Sequence, residues 1–139
     1  MDHAVWNTLH DGSIESVGGS VPGDVHVRVE IVYLCGKLPT AASHVIIHLR
    51  GCRQFEYHPW AADPVTDLAA IVLADLEILS AEEVNGAVSV ACGSGFLQLA
   101  YDRVDIALAE GQLISQTELE AAAERYWTEW EENVRRAKR

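Results

Sequence analysis

The stretch "DVHVRVEIVY", Asp24 to Tyr33, decides the fold class. Val25, Val27, Val29, Ile31 and Tyr33 alternate with His26, Arg28 and Glu30, the period of two of a β-strand with one apolar and one polar face. A sheet built from such strands is covered on one side and pairs antiparallel. Upstream, Ser13 to Val17 is a short β-prone run, and "GGSVPGD" reverses the chain between the two.

Downstream, His44 to Tyr57 reads as a second long strand. Val45, Ile47 and Leu49 face inward, and Gly51 marks a bulge or bend. Asp63 before Pro64 has the form of a helix start, predicting a short helix from Pro64 to about Val72. Leu76 to Glu83 reads as a strand. Asn85-Gly86 supplies the two positive-φ positions of a type I′ hairpin turn. Ala87 to Cys92, Phe96 to Tyr101 and Ile106 to Leu108 complete about six strands.

At the C-terminus, Leu119, Ala123, Tyr126, Trp127, Trp130 and Val134 recur at helical spacing. Ser115 and Thr117 each precede a glutamate by three residues, so either forms a capping box. The expected architecture is α+β: one curved antiparallel sheet, a short middle helix, and a C-terminal amphipathic helix packed on one face. Trp127 and Trp130, on the stripe, are expected in the core. A length of 139 residues fits a single domain, 1–139.

Charge narrows the function classes. The formal net charge is −11, which disfavours nucleic acid and anionic membrane surfaces, both of which select for Lys and Arg. No run of residues is apolar and long enough to span a bilayer, and the N-terminus lacks the basic and apolar regions of a signal peptide. Three cysteines (Cys35, Cys52, Cys92) form no CxxC pair. Buried, reduced thiols in a cytoplasmic protein are expected.

The acidity is unevenly spread. From Gln54 to Asp102 there is no Lys or Arg, whereas Glu56, Asp63, Asp67, Asp75, Glu77, Glu82, Glu83 and Asp102 are all acidic. The segment from Ser115 onward is close to neutral, so the body holds nearly the whole imbalance. Such a surface keeps a small protein dispersed, and it also steers basic partners. Glu56, Asp63, Asp67, Asp75, Glu82 and Glu83, with the loop residue Trp60 as an aromatic anchor, form the candidate partner-binding set.

Candidate chemistry is sparse. His10 and Asp11 precede the first strand in "LHDG", where Asp-Gly is a turn former. Adjacent residues on an extended chain diverge, so the two are not expected to pair. His44 and His48 share a strand face and are separated by roughly 13 Å, too far for one zinc ion with ligands at about 2 Å. His26 and His48 become cross-strand neighbours if the register allows, with no third ligand evident. "ACGSGF" is a hairpin turn and not a helix start that activates a thiol, and "GSG" lacks a dinucleotide fingerprint. No metal or cofactor is expected.

The motifs "LHDG", "PGD", "LRGCRQFEY" and "ILSAEE" together resemble those of a group of uncharacterised small bacterial β-rich proteins, some of them similar to immunity proteins encoded beside secreted toxins. The resemblance covers most of the chain and implies a β-rich fold, a helical C-terminus and a binding role, with no catalytic residues carried over.

Two function classes follow. One is a non-enzymatic binding protein, such as an immunity-type inhibitor that masks a basic toxin surface, with a homodimer compatible. The other is a small ligand-binding protein or enzyme with a site at the sheet end near Trp60 and His58, drawing on His10, Asp11, Tyr57 and His58. The first is preferred, because no acid–base–nucleophile set can be assembled from the sequence.

Overall fold

Strand β2 (Gly23–Glu30) buries Val25, Val27 and Val29 and turns His26 and Arg28 outward, as a period of two requires. It lies in a computed structural model that describes residues 2–138. The chain is α+β. β2 pairs antiparallel with β1 (Ser13–Gly19) and β3 (His44–Cys52), and β8 (Arg103–Leu108) and β9 (Leu113–Ile114) extend this sheet to the order β1-β2-β3-β8-β9. β4 (Gln54–Pro59), β5 (Ser80–Val84), β6 (Ala87–Ala91) and β7 (Gly95–Ala100) form a second antiparallel sheet, ordered β4-β7-β6-β5.

The single sheet of about six strands is therefore two sheets, and one bend explains the difference. The run expected as one strand from His44 to Tyr57 passes through both. At the corner Gly51 takes φ +62°, the left-handed region that favours glycine, and its bare Cα leaves room for the Asp102 carboxylate beside it. Asp24 Oδ1 accepts the Gly51 N–H at 3.0 Å. The Asp102 N–H donates to Arg50 O and the Arg53 N–H to Ala100 O, so pairing continues from β3–β8 around the bend into β4–β7. Strands that switch sheets at a bend are a known way to close two layers over one core.

A second junction ties the sheets on the other side. The Ile14 N–H donates to Leu76 O, and Ile78 exchanges backbone bonds with Asp11 and Gly12. The strand expected from Leu76 to Glu83 is thus a bridging segment, with an isolated bridge from Glu77 to Ser13, followed by β5. The apolar faces of both sheets meet in one core that includes Val27, Ile47, Leu49, Val90, Leu97 and Leu99.

The helices differ from expectation in informative ways. α1 (Ala4–Thr8), unmarked by any capping signal, inserts Trp6 into the core, where it is 0% exposed. α2 (Val32–Cys35) ends the alternating run before Tyr33, which becomes helical. The middle helix α3 spans Leu68–Val72 and is capped by Asp67, whose side chain accepts the Ala69 N–H. Asp63 and Pro64 lie before it in a non-helical segment. The hairpin turn is as expected, with Asn85 at φ +51° and Gly86 at +77°.

The C-terminal helix α4 (Gln116–Ala137) carries the capping box of Ser115 and Glu118. It packs on α1 and α2 and not across a sheet face. Only Leu119 and Ala122 are buried on it. Trp127 is 41% and Trp130 50% exposed, which corrects their placement in the core. The helix outruns the body it packs on, and its apolar stripe continues past the edge.

Candidate functional site

The strand alternation that builds the core also fixes the outer face of the four-stranded sheet. Phe55, Tyr57, Val88, Val90, Leu97 and Leu99 point inward, so Glu56, His58, Phe96, Gln98, Ser89 and Glu82 point outward. Register aligns Glu56 with Gln98, Gln98 with Ser89, and Ser89 with Glu82. A polar row with a carboxylate at each end thus crosses all four strands.

Beside this row His58 pairs with Phe96 in register, and their rings stack at 4.9 Å with an interplanar angle of 7°. Trp60 is 69% exposed. Its indole N–H donates to Gly93 O at 2.9 Å, and its ring lies 5.6 Å from Phe96. A groove of about 360 Å³ runs over Ala87 and Ser89 between Glu82 and Phe96. Among the described residues α1 packs on the edge strand β5 and α3 on the edge strand β4.

The other acidic residues singled out by the sequence are more dispersed. Asp63, Asp67 and Asp75 lie on the connection from β4 to β5, with Asp67 used as a helix cap and Asp75 at φ +54°. Glu83 neighbours Glu82 on the edge strand, where alternation aims it the other way. The outer face therefore carries Glu56 and Glu82 at the two ends of one row, with Trp60 against Phe96 at its side, and leaves Asp63, Asp67, Asp75 and Glu83 around it.

The five-stranded sheet is electrostatically different. Its outward arginines are matched by carboxylates: Arg28 with Glu15 at 2.8 Å, and Arg50 with Asp105 at 3.1 Å and Asp24 at 3.5 Å. Arg103 also reaches Asp105, and Arg53 pairs with Asp102 at the corner. The hydrogen bond from Arg50 holds the Asp105 carboxyl below its ordinary pKa. His26 and His48 are opposite each other, as the register question required, with ring centroids 6.5 Å apart. Burial, with Arg50 and His26 adding to it, lowers the His48 pKa. No cluster of three His, Cys, Asp or Glu among the described residues is placed to hold a metal ion.

The alternative set does not converge on one place. Tyr57 faces the interior and its hydroxyl meets Ser94 Oγ at 2.5 Å. His58 lies on the outer face. His10 belongs to the "LHDG" corner, where its Nδ1 donates to Leu79 O at 2.6 Å and Tyr33 Oη donates to its carbonyl. Asp11 takes φ +70°, not the extended backbone assumed from sequence, so its Oδ1 comes to 3.4 Å from His10 Nε2. Gly12 follows in a space where a Cβ would fall 2.7 Å from Val29 Cγ1. "LHDG" is a structural corner that locks α1, β1 and residues 76–79 together.

The three thiols are free and buried. Burial pushes Cys35 and Cys92 up to about 11 and raises Cys52, away from the thiolate a nucleophile needs. No helix among the described residues is long and apolar enough to cross a membrane. Sequence reasoning missed Phe96, Gln98 and Ser89, whose signal was the register of a hairpin and not their own identity. No protein family, curated protein or solved structure matches the chain.

Proposed function

We propose that this protein is a non-enzymatic binding protein that receives a basic partner on the outer face of its four-stranded sheet. The observation that carries the reading is the cross-strand row Glu56, Gln98, Ser89 and Glu82 on an uncovered face, within a segment lacking any Lys or Arg from Gln54 to Asp102. The arginines of the five-stranded sheet pair with its own carboxylates, whereas the strands of the four-stranded sheet carry no Lys or Arg. Small residues at Ala87 and Ser89 leave room for the stem of a partner lysine or arginine, with its charged head at Glu82. Phe96 and Trp60 supply apolar contact beside it. An immunity-type inhibitor that masks a basic toxin surface fits this arrangement, since such a protein needs a charged, pre-formed face and no catalytic group.

The experiment is affinity capture from the native source, followed by association kinetics of the captured basic protein with wild type and with Glu56→Lys/Glu82→Lys. Exposed charges act mainly on encounter and are screened beyond about 8 Å at physiological salt. Association that slows both with salt and with the double reversal is the expected result. Unchanged association after the reversal overturns the assignment of this face.

A second reading rests on His58. Its Nε2 is buried and without a hydrogen-bond partner among the described residues, with Glu56 at 3.9 Å. A small ligand with a hydrogen-bonding group, stacked by Trp60, would satisfy that atom. Small-molecule binding lost in His58→Phe, with basic-protein binding retained, would favour this reading over the first.

A further inference from the structure

We infer that the exposed half of α4 pairs antiparallel with the same helix of a second copy of this chain. This inference is independent of the acidic sheet face. α4 is fixed to the body as far as Glu129: Arg125 donates to Lys37 O at 2.6 Å, Lys37 pairs with Glu129, and the Tyr33 ring meets Tyr126 and Trp127 at 4.6 and 5.7 Å. Farther along, the Arg135–Glu131 pair is internal to the helix. From Trp130 to Ala137 the helix extends by about 12 Å at 1.5 Å per residue.

From Ala123 into that extension the apolar positions keep a strict spacing. Ala123, Trp127, Trp130, Val134 and Ala137 follow one another at steps of four, three, four and three, the a/d pattern of a helix seam. Trp127 and Trp130 pack edge to face at 6.0 Å and remain 41% and 50% exposed. Two half-exposed tryptophans on one seam are more than a solvated helix face needs, and such residues dominate interface energetics when desolvated.

Charge selects the occupant and its direction. Along the helix the carboxylates Glu118, Glu120, Glu124, Glu129, Glu131 and Glu132 precede the cations Arg135, Arg136 and Lys138, and Arg125 among them is engaged by Lys37 O of the body. A parallel pair would set cations beside cations. An antiparallel pair that layers Trp127 on Ala137 and Trp130 on Val134 places Lys138 of each copy beside Glu124 of the other. The same offset starts the partner helix where the chain's own body stops.

The test is sedimentation of the full-length protein over a range of concentrations, with folding of each variant checked by circular dichroism. Wild type should dimerise reversibly, and Trp127→Ser/Trp130→Ser should weaken the dimer by ~100-fold, the loss of two hot-spot side chains. Glu124→Lys and Lys138→Glu should each weaken it, and the two together in one chain should restore it, since the antiparallel layers bring these positions together in the pair. A wild type that stays monomeric, or a dimer indifferent to the tryptophans, overturns the inference. A swap that fails to restore association overturns the antiparallel direction.

Discussion

The side chain of Asn7 pairs with both backbone groups of Ala81. Its Nδ2 donates to Ala81 O at 2.9 Å, and its Oδ1 accepts the Ala81 N–H at 2.8 Å. Ala81 sits on β5, the outer strand of the four-stranded sheet, so one amide from α1 occupies the hydrogen-bonding positions a further strand would use. On the opposite edge Val65 exchanges two backbone bonds with Tyr57 of β4. Both edges of this sheet are thereby blunted against strand addition.

Asn7→Leu should remove the two bonds while keeping the side-chain size. At this exposed position the loss is expected at about 1–2 kcal/mol, read as a lower denaturation midpoint. The variant should also scatter more light on prolonged incubation, because the β5 edge is uncovered. Unchanged stability and unchanged scattering would remove Asn7 from any edge-protecting role.

Two tryptophans should separate in a stability assay. Trp6 is fully buried and its indole N–H donates to Tyr101 Oη at 3.2 Å, so Trp6→Ala should cost about 3–5 kcal/mol. Trp127 stays 41% exposed, and Trp127→Ala in the monomer should cost nearer 1 kcal/mol. Urea denaturation at low protein concentration reads both. Equal losses would mean that α4 is buried in solution.

Acid should weaken the corner around Arg50. Hydrogen bonds from Arg50, then Arg103, hold the Asp105 carboxyl below its ordinary value of 3.8, and the Gly51 N–H does the same for Asp24. A depressed carboxylate contributes stability that is present above the unfolded value and is lost as pH falls through the folded one. Wild type should therefore lose stability below about pH 4 more steeply than Asp105→Asn. Glu30 runs the other way, raised by sharing a hydrogen bond with Glu15, so protonating it relieves repulsion. Chemical denaturation from pH 6 to pH 2.5 resolves the two limbs, and parallel curves for wild type and Asp105→Asn would refute the link.

Thiol chemistry should be silent in the folded state. Cys35, Cys52 and Cys92 are 2%, 0% and 6% exposed, and burial raises the pKa of each. Iodoacetamide at pH 8 should label the native protein far more slowly than the urea-unfolded chain. Rapid native labelling at any one of the three would show local opening at that site.

What the sequence revealed followed from periodicity. Val25, Val27 and Val29 announce a strand because alternation is local, and Asn85-Gly86 announces a hairpin because only certain residues tolerate positive φ. The split at Gly51 was visible as a bend, yet which sheet each half joins depends on partners fifty residues away at Ala100 and Asp102. The α4 stripe is equally legible, but periodicity states which face is apolar and not what covers it, so it does not reveal that Trp127 and Trp130 lie beyond the core. An extended backbone would hold His10 and Asp11 apart, and a single left-handed residue, Asp11, changes their geometry. Glu56, Glu82 and Trp60 were found from charge and loop position, whereas the row that organises them exists only in the register.

The binding face can be separated from the overall charge by two substitutions of equal charge. Ser89 sits half-buried in the middle of the outer row of the four-stranded sheet, between Gln98 and Glu82. Ser16 is exposed on β1 of the other sheet. Ser89→Lys and Ser16→Lys both raise the net charge from −11 by one unit, so a partner steered only by the total field should respond to them alike. A partner seated in the groove should not. Ser89→Lys fills the space over Ala87 and places a cation beside Glu82, so it should cut the affinity for the captured basic protein by at least ~10-fold, about 1.4 kcal/mol. Ser16→Lys should change it less than twofold. Neither surface substitution should move stability by more than about 1 kcal/mol, which thermal melting confirms before binding is compared. If the two lysines have the same effect on binding, the acidic surface acts as a general field and the groove between Glu82 and Phe96 is not where the partner sits.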